Sequence, residues 1–373
     1  MFNRRIRVIQ YGLGPIGASI VRLMLEKPCL DIAGAVDIDP EKAGKDLGAV
    51  AGAGRDLGVV VSADARSLLR AGADVVVHST GSHLEQVATQ LLQCLEAGTH
   101  VVSTCEELAY PFRKHPELSQ RLDRCAKQNR VALLGTGVNP GFVLDKLLLT
   151  LSAVSQRVDS AKGLRIVDAS KRRLPLQKKI GAGMSVEEFR RQVAAGVIKH
   201  HGLPESVAMV ADGLGLAIDD IVETIEPVVA RETVRTEFLE VALGQAAGVH
   251  QVALGLAGGR PKIRLELQMY VGAGDPGDTL ELTGEPDIRL SVPGGAHGDI
   301  ATAAVVVNCI PALLEARPGL RTSRDIPMHY FSGCAAAPAA LPREFFAREM
   351  SPAEREERED WLKMSRETQK GDR

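Results

Sequence analysis

The stretch Val8-Ile9-Gln10-Tyr11-Gly12-Leu13-Gly14-Pro15-Ile16-Gly17 decides how the rest of the chain is read. A short apolar run ends in glycines spaced G-x-G-x-x-G. An amphipathic run from Ile16 to Glu26 follows at once and stops before Pro28. Strand, glycine turn and helix in that order are the setting in which this spacing cradles a dinucleotide. Gly12 lets the strand turn sharply, Gly14 leaves room for a pyrophosphate against the backbone, and Gly17 lets the helix lie close to the sheet. Leu13, Pro15 and Ile16 complete the loop, and the first N–H groups of the helix, unpaired within it, face the phosphates. A second apolar run, Ile32 to Val36, ends at Asp37, about 20 residues beyond Gly17, where a carboxylate accepts hydrogen bonds from an adenosine ribose diol.

Working outward, apolar runs at Val59–Val61, Val75–His78, His100–Thr104 and Val131–Leu134 alternate with helical stretches over Leu84–Ala97 and Pro116–Asn129. Such alternation gives a doubly wound parallel sheet covered on both faces. Asp39 to Lys45 reads as a turn into a short helix, and Ala65 to Leu69 as a weak one. Beyond Asp145 the period changes: Ile263, Leu265, Leu267 and Met269 alternate with Arg264, Glu266, Gln268 and Tyr270, the pattern of a sheet with one covered face. Short strands are also expected near residues 163–167, 221–229, 249–256, 279–282 and 288–292. One helix, opened by a Ser185/Glu188 capping box, interrupts them. Asp299 to Leu314 turns helical and apolar again and is expected to pack back onto the first domain.

The fold class expected is α/β: an N-terminal Rossmann domain (doubly wound parallel sheet) plus an α+β second domain with an open mixed or antiparallel sheet. We assign residues 1–142 and 299–340 to the dinucleotide domain and 143–298 to a substrate and dimerisation domain. Residues 341–373 form a charged helical tail with a capping box at Ser351-Pro352-Ala353-Glu354.

Composition narrows the function classes. A net charge of −2 over 373 residues, with no long basic block, argues against nucleic acid as a partner. No apolar run reaches membrane-spanning length, and the opening Met1-Phe2-Asn3-Arg4-Arg5 runs straight into a strand, so neither a membrane span nor a signal peptide is expected. Cys29, Cys94, Cys105, Cys125, Cys309 and Cys334 lie far apart with no C-x-x-C pair, which fits a reducing cytoplasm and argues against a structural metal.

Ligands of an open α/β sheet bind outside the carboxyl ends of its strands. Three loops qualify: Ser79–Ser82, contributing Thr80, Gly81 and Ser82; Thr104–Pro111; and Gly135–Phe142, contributing Asn139 and Pro140. Glu106 and Glu107 follow a buried strand directly, a costly place for two carboxylates unless they are solvated or used. One of them, facing a nicotinamide from a dry pocket, is suited to acid–base work. Cys105 beside them has no histidine near it in sequence and reads as a small core residue, while His200-His201 read as a solvated helix end and a poor metal pair. Candidate substrate contacts are Phe142, Arg165 (for a carboxylate), Asp168 (for an amine), His250 and Thr302. Asp37 and Asp39 would repel a 2′-phosphate and favour NAD, with Lys42, Lys45 and Arg55 leaving NADP open.

The segments Gly12–Gly17, Ser103-Thr104-Cys105-Glu106-Glu107-Leu108-Ala109-Tyr110-Pro111 and Gly135-Thr136-Gly137-Val138-Asn139-Pro140-Gly141-Phe142, with Gly298–Ala304 and Asn308-Cys309-Ile310-Pro311, resemble the 2,4-diaminopentanoate dehydrogenase family and its native amine dehydrogenase relatives. The resemblance spans most of the chain. It implies a dihydrodipicolinate-reductase-like architecture, a homodimer, NAD(P), and an amine or ketone substrate with ammonia. It also implies a catalytic glutamate in the segment matching Glu106-Glu107, with Glu106 favoured. Two other readings are carried beside it. A dihydrodipicolinate-reductase-like imine or C=C reductase shares the architecture, but the His-His-x-x-Lys pattern of that family is absent here. A non-catalytic redox sensor would bind the dinucleotide without turning it over.

Overall fold

The computed structural model describes residues 4–172 and 174–331, with four isolated positions beyond them. Residues 332–340, Cys334 among them, and nearly all of the 341–373 tail, including Pro352 and Glu354 of its capping box, lie outside the described residues. The first sheet uses β1 (Ile6–Tyr11), β2 (Leu30–Val36), β3 (Val61–Ser62), β4 (Val75–His78), β5 (His100–Ser103) and β6 (Ala132–Gly135). Its helices are α1 (Pro15–Leu25), α2 (Leu47–Ala51), α3 (Ala65–Ala71), α4 (Leu84–Glu96) and α5 (Pro116–Gln128). Val75, Val76 and Val77 have no exposed surface at all, as strands covered on both faces require.

The second part opens with α6 (Lys146–Leu151) and β7 (Arg157–Asp168), then α7 (Leu174–Lys179), α8 (Val186–Ala194) and α9 (Leu203–Leu214). There follow β8 (Asp220–Val229), a ribbon of β9 (Val234–Arg235) and β10 (Glu240–Val241), β11 (Ala246–Ala257), β12 (Arg260–Tyr270), β13 (Gly277–Glu285) and β14 (Ile288–Pro293). The chain returns through α10 (Gly298–Leu314) and β15 (Gly319–Arg321). Among the described residues the first sheet runs β15-β6-β5-β4-β1-β2-β3 with every pairing parallel. The second runs β14-β13-β7-β12-β11-β8, antiparallel except for β7 beside β12. This is the α/β architecture expected from the sequence.

Two glycines decide the first turn. Gly12 has φ +94°, and a Cβ there would sit 2.5 Å from the Ser79 carbonyl oxygen. A Cβ on Gly17 would sit 2.0 Å from the Gly12 carbonyl oxygen, so only glycine lets α1 start against the strand end. Val306, Val307, Cys309, Ile310 and Leu313 of α10 join Val8, Ile20, Val21 and Met24 in one core. In the second sheet Ala161, Ala253, Ile263, Leu265 and Leu280 pack under Val207 and Val210 of α9.

Several elements differ from the sequence reading, among them α6, α7 and the β9–β10 ribbon, which it did not expect. Residues 40–44 are turns, and the helix begins at Leu47 because the Asp46 carboxylate caps it, accepting from Gly48 N at 2.7 Å. The helix α9 escapes periodicity because it is buried nearly all round, Glu205 and Ser206 included. The strand β15 is three residues long and pairs with β6 only after the chain has left and re-entered the first sheet. No helix among the described residues is long and apolar enough to cross a membrane.

Candidate active site

Strands β1, β4, β5 and β6 of the parallel sheet end side by side, and their loops form one wall of a cleft of about 1130 Å³ counted to its open mouth. Gly14, Pro15, Ile16, Thr80, Gly81, Ser82, Asn139 and Pro140 line it together with Glu106. Gly12, Leu13, Gly17 and Asp37 lie behind this lining rather than in it. Asp37 stands at the end of β2, where its carboxylate accepts from Leu13 N at 2.7 Å and Asp39 N at 3.0 Å and pairs with Lys42 at 3.3 Å. The Thr80 loop is held from beneath: His78, pushed down to about 4 by burial, meets Ser103 Oγ at 2.9 Å and Gln90 Oε1 at 2.8 Å, and Thr80 donates to the same Gln90 oxygen at 2.6 Å.

The residues present fit a dinucleotide. A Cβ placed on Gly14 meets no protein atom within 4 Å, so the backbone there is open to the cleft. The N-terminus of α1 has no side-chain cap, which leaves its N–H groups free for an anion. Asn139 is buried, yet neither Oδ1 nor Nδ2 has a hydrogen-bond partner among the described residues, and it lines the cleft beside Glu106. A buried carboxamide with all its hydrogen bonds unmade is costly unless a ligand completes them.

The two consecutive acids separate. The chain turns through a 3₁₀ segment at Glu106–Ala109, so neighbouring side chains diverge. Glu107 is turned inward, 2% exposed, and its oxygens are fully engaged: Leu84 N at 2.8 Å, Lys114 Nζ at 2.6 Å, His115 Nε2 at 3.0 Å and His83 Nδ1 at 3.1 Å. These partners outweigh its desolvation and hold its carboxyl at about 2. Glu106 faces the cleft and also a second, largely apolar pocket of about 470 Å³. Desolvation pushes its carboxyl above the ordinary carboxylate range, opposed by a hydrogen bond from Ser82 and by the charge of Lys179. The pocket behind it is walled by Leu176, Ile180, Ile198, Val249, Leu267 and Met269.

Of the candidate substrate residues, Thr302 lines the cleft. Arg165 is buried against Asp278 at 3.2 Å and also donates to the Ala296 carbonyl. Asp168 accepts from Ser170 N and Oγ at 2.9 and 2.6 Å, closing a turn. His250 pairs with Glu266 at 2.7 Å; it follows pocket-lining Val249 and so faces the other side of the sheet. Phe142 packs among residues under α9 and against His329. Cys105 is buried, its thiol pushed up to about 12 by desolvation, which rules out a thiolate nucleophile near neutrality.

Sequence reasoning missed the opposite wall. His200 and His201 are no solvated helix end. His200 lines both cavities, held near 4 by burial and with Nδ1 unpartnered among the described residues; its backbone N–H donates to Gln251 Oε1 at 3.0 Å. Lys179 closes α7 and lines both cavities with Glu106, and Arg172 pairs with Asp299 at 2.7 Å across the cleft. The only local signal was the rarity of adjacent histidines, which carries no direction. His83, Glu107 and His201 bring three possible metal ligands together, but the Lys114 ammonium 2.6 Å from the shared carboxylate already supplies its cation.

Comparison with known proteins places this architecture. The 2,4-diaminopentanoate dehydrogenase C-terminal domain matches residues 142–334, and the N-terminal dihydrodipicolinate reductase domain matches residues 6–106. The 2,4-diaminopentanoate dehydrogenase of Acetoanaerobium sticklandii is 31% identical, over 87% of this chain and 94% of that protein. The chain belongs to the 2,4-diaminopentanoate dehydrogenase family. An amine dehydrogenase of Streptomyces virginiae is 24% identical over 87% of this chain and 96% of its own length. The solved structure of an amine dehydrogenase from Mycobacterium smegmatis superposes with a TM-score of 0.77 at 28% identity, covering 89% of this chain and 98% of that one. The family resemblance seen in the sequence therefore holds, and with it the class: a nicotinamide-dependent oxidoreductase of the amine dehydrogenase type.

Proposed function

We propose that the protein catalyses the reversible oxidative deamination of a small amine or diamine, 2,4-diaminopentanoate-like, to a ketone and ammonia, with Glu106 as its acid–base group. The observation that carries this reading is the position of Glu106. It is the carboxylate shared by the dinucleotide cleft and the apolar pocket, while Glu107 one residue on is committed to four other partners. The nicotinamide, when bound, accepts or returns the hydride. An amine loses hydride only as the free base, so Glu106 takes the proton of the substrate ammonium and passes it to water at the open cleft before the hydride leaves. Its carboxylate then faces the cationic iminium carbon and favours that charge in a dry site. The same group next activates the water that releases ketone and ammonia. Burial suits Glu106 to this exchange because it brings the carboxyl closer to the working pH.

Gly14, Pro15 and Ile16 would hold the pyrophosphate, Thr80 to Ser82 the nicotinamide side, and Asn139 the carboxamide. The preferred dinucleotide in this reading is NAD. Asp37 and Asp39 stand where a 2′-phosphate would enter, and Lys42 is already shared between them at 3.3 and 3.2 Å. A cytoplasmic homodimer completes the proposal and is testable by fractionation and sedimentation.

The test is consumption of NADH and NADPH against a panel of ketones, with and without concentrated ammonium at mildly alkaline pH. Ammonium-dependent oxidation of NADH is expected. Consumption without ammonium would favour an imine or C=C reductase, and tight cofactor binding without turnover a redox sensor.

A further inference from the structure

A third cavity, of about 970 Å³, abuts the apolar pocket from behind. His201 and Lys199 line both, so these two side chains form the partition between them. His201 stands edge-on to His83, with ring centroids 4.4 Å apart, which fixes one side of the partition. The two lysines lining the cavity are ion-paired, and its exposed charges Arg113 and Asp220 hold backbone instead, Asp220 accepting from Ile221 N at 2.8 Å. Lys114 is on Glu107 at 2.6 Å, Lys199 on Glu223, and Arg113 reaches the Ile218 carbonyl at the rim. Glu205 is left over. It sits in the first turn of α9, 7% exposed, and has no ion pair among the described residues. Burial pushes its carboxyl up to about 7, with Glu107 and Glu223 adding to the rise and the charge of Lys114 opposing it, so in mildly alkaline solution it is a buried carboxylate with no ion pair of its own among the described residues. A buried charge of that kind calls for a counterion.

Reductive amination brings three reactants to one enclosed point. With the nicotinamide in the cleft and the ketone in the apolar pocket, both front approaches to Glu106 are filled. The third reactant is a small cation. We propose that the rear cavity is the ammonium site, in which Glu205 binds the ion and takes its proton, and the gap beside His201 admits the resulting ammonia to Glu106. This rests on the amine dehydrogenase reading and goes beyond it by giving ammonium a binding group and a route of its own.

The test is steady-state kinetics of NADH oxidation with ketone and ammonium varied independently. Wild-type turnover that does not depend on ammonium would overturn the enzymatic reading itself, and with it this site. Given that turnover, Glu205→Gln is expected to raise KM for ammonium about tenfold, the worth of one charge-assisted contact, with KM for ketone and NADH within about twofold. Glu205→Asp, which keeps the charge, is expected to restore most of the loss. An unchanged ammonium KM in Glu205→Gln overturns the proposal. So does a parallel rise in ketone and ammonium KM, or a thermal unfolding loss that Glu205→Asp shares, because each marks a structural residue.

Discussion

The two walls of the cleft are made by the same chain in different ways. The wall on the parallel sheet consists of loops that follow buried strands directly, and each carries a local mark. Gly12 and Gly17 occupy places where a Cβ would overlap backbone, and Glu106-Glu107 put charge at the end of a strand whose middle is fully buried. The facing wall is assembled from α7, the segment before α9 and strands β11 and β12. Its members, Leu176, Lys179, His200, Val249 and Met269, are ordinary as residue types, and only the pairing of distant strands brings them together. The dinucleotide side is set by spacing along the chain, the substrate side by tertiary register. The two sides should therefore respond differently to substitution.

The largest effect is expected at the point where they meet. Glu106→Gln preserves shape and removes the proton acceptor, and kcat should fall about a thousandfold, the usual scale for losing a general base. Dinucleotide affinity, measured by fluorescence titration, should hardly move. Normal turnover in this variant would dissolve the distinction between the two glutamates. In the pH profile, the acid limb of deamination should lie above the ordinary carboxylate range, because desolvation raises the Glu106 carboxyl.

Glu107 should answer in stability instead. Removing it as Glu107→Ala leaves Lys114, His83, His115 and the Leu84 N–H without their acceptor, and the cost should be about 3 kcal/mol in urea unfolding. Its folded carboxyl titrates near 2, below the unfolded value near 4.5. The contribution is therefore complete above the unfolded value and is lost as pH falls from about 4.5 towards 2. Glu107→Gln should remove that share of the acid sensitivity. If the pH dependence of stability is the same in both proteins, the carboxylate is not the keystone its contacts make it.

What was legible follows the same division. The parallel sheet, its glycine turn and the loop acids could be read because backbone sterics and desolvation restrict residue types over short spans. Arg165, Asp168 and His250 attracted attention as charged groups in the second domain, yet each is satisfied by a partner the sequence does not announce: Asp278, Ser170 and Glu266. His200 and Lys179 drew little notice because a histidine in a loop and a lysine at a helix end are common on any surface. Their role depends on where β11 and β12 lie, and strand pairing leaves no mark in a single sequence.

Asn139 sharpens the comparison from the dinucleotide side. Its carboxamide is buried and unpartnered among the described residues, so Asn139→Ala should leave the apoprotein as stable as before, or more so. Dinucleotide affinity should weaken about tenfold, the value of one or two hydrogen bonds made only in the complex. A loss of stability without a loss of affinity would mean the group serves the fold.

The smallest expected effect tests the opposite wall. Val249 is 3% exposed and, with Leu267, lines the apolar pocket without reaching the cleft lining, which Met269 shares. Val249→Phe adds bulk there without approaching Glu106 through the chain. Ketones with longer chains should lose about tenfold in kcat/KM, the cost of one or two displaced methylenes, while the shortest ketone and the dinucleotide KM should change little. A uniform loss across the series would mean the wall positions Glu106 rather than selecting the substrate. A loss confined to NADH would put the dinucleotide deeper than the parallel-sheet wall, and the division of labour between the two walls would fail.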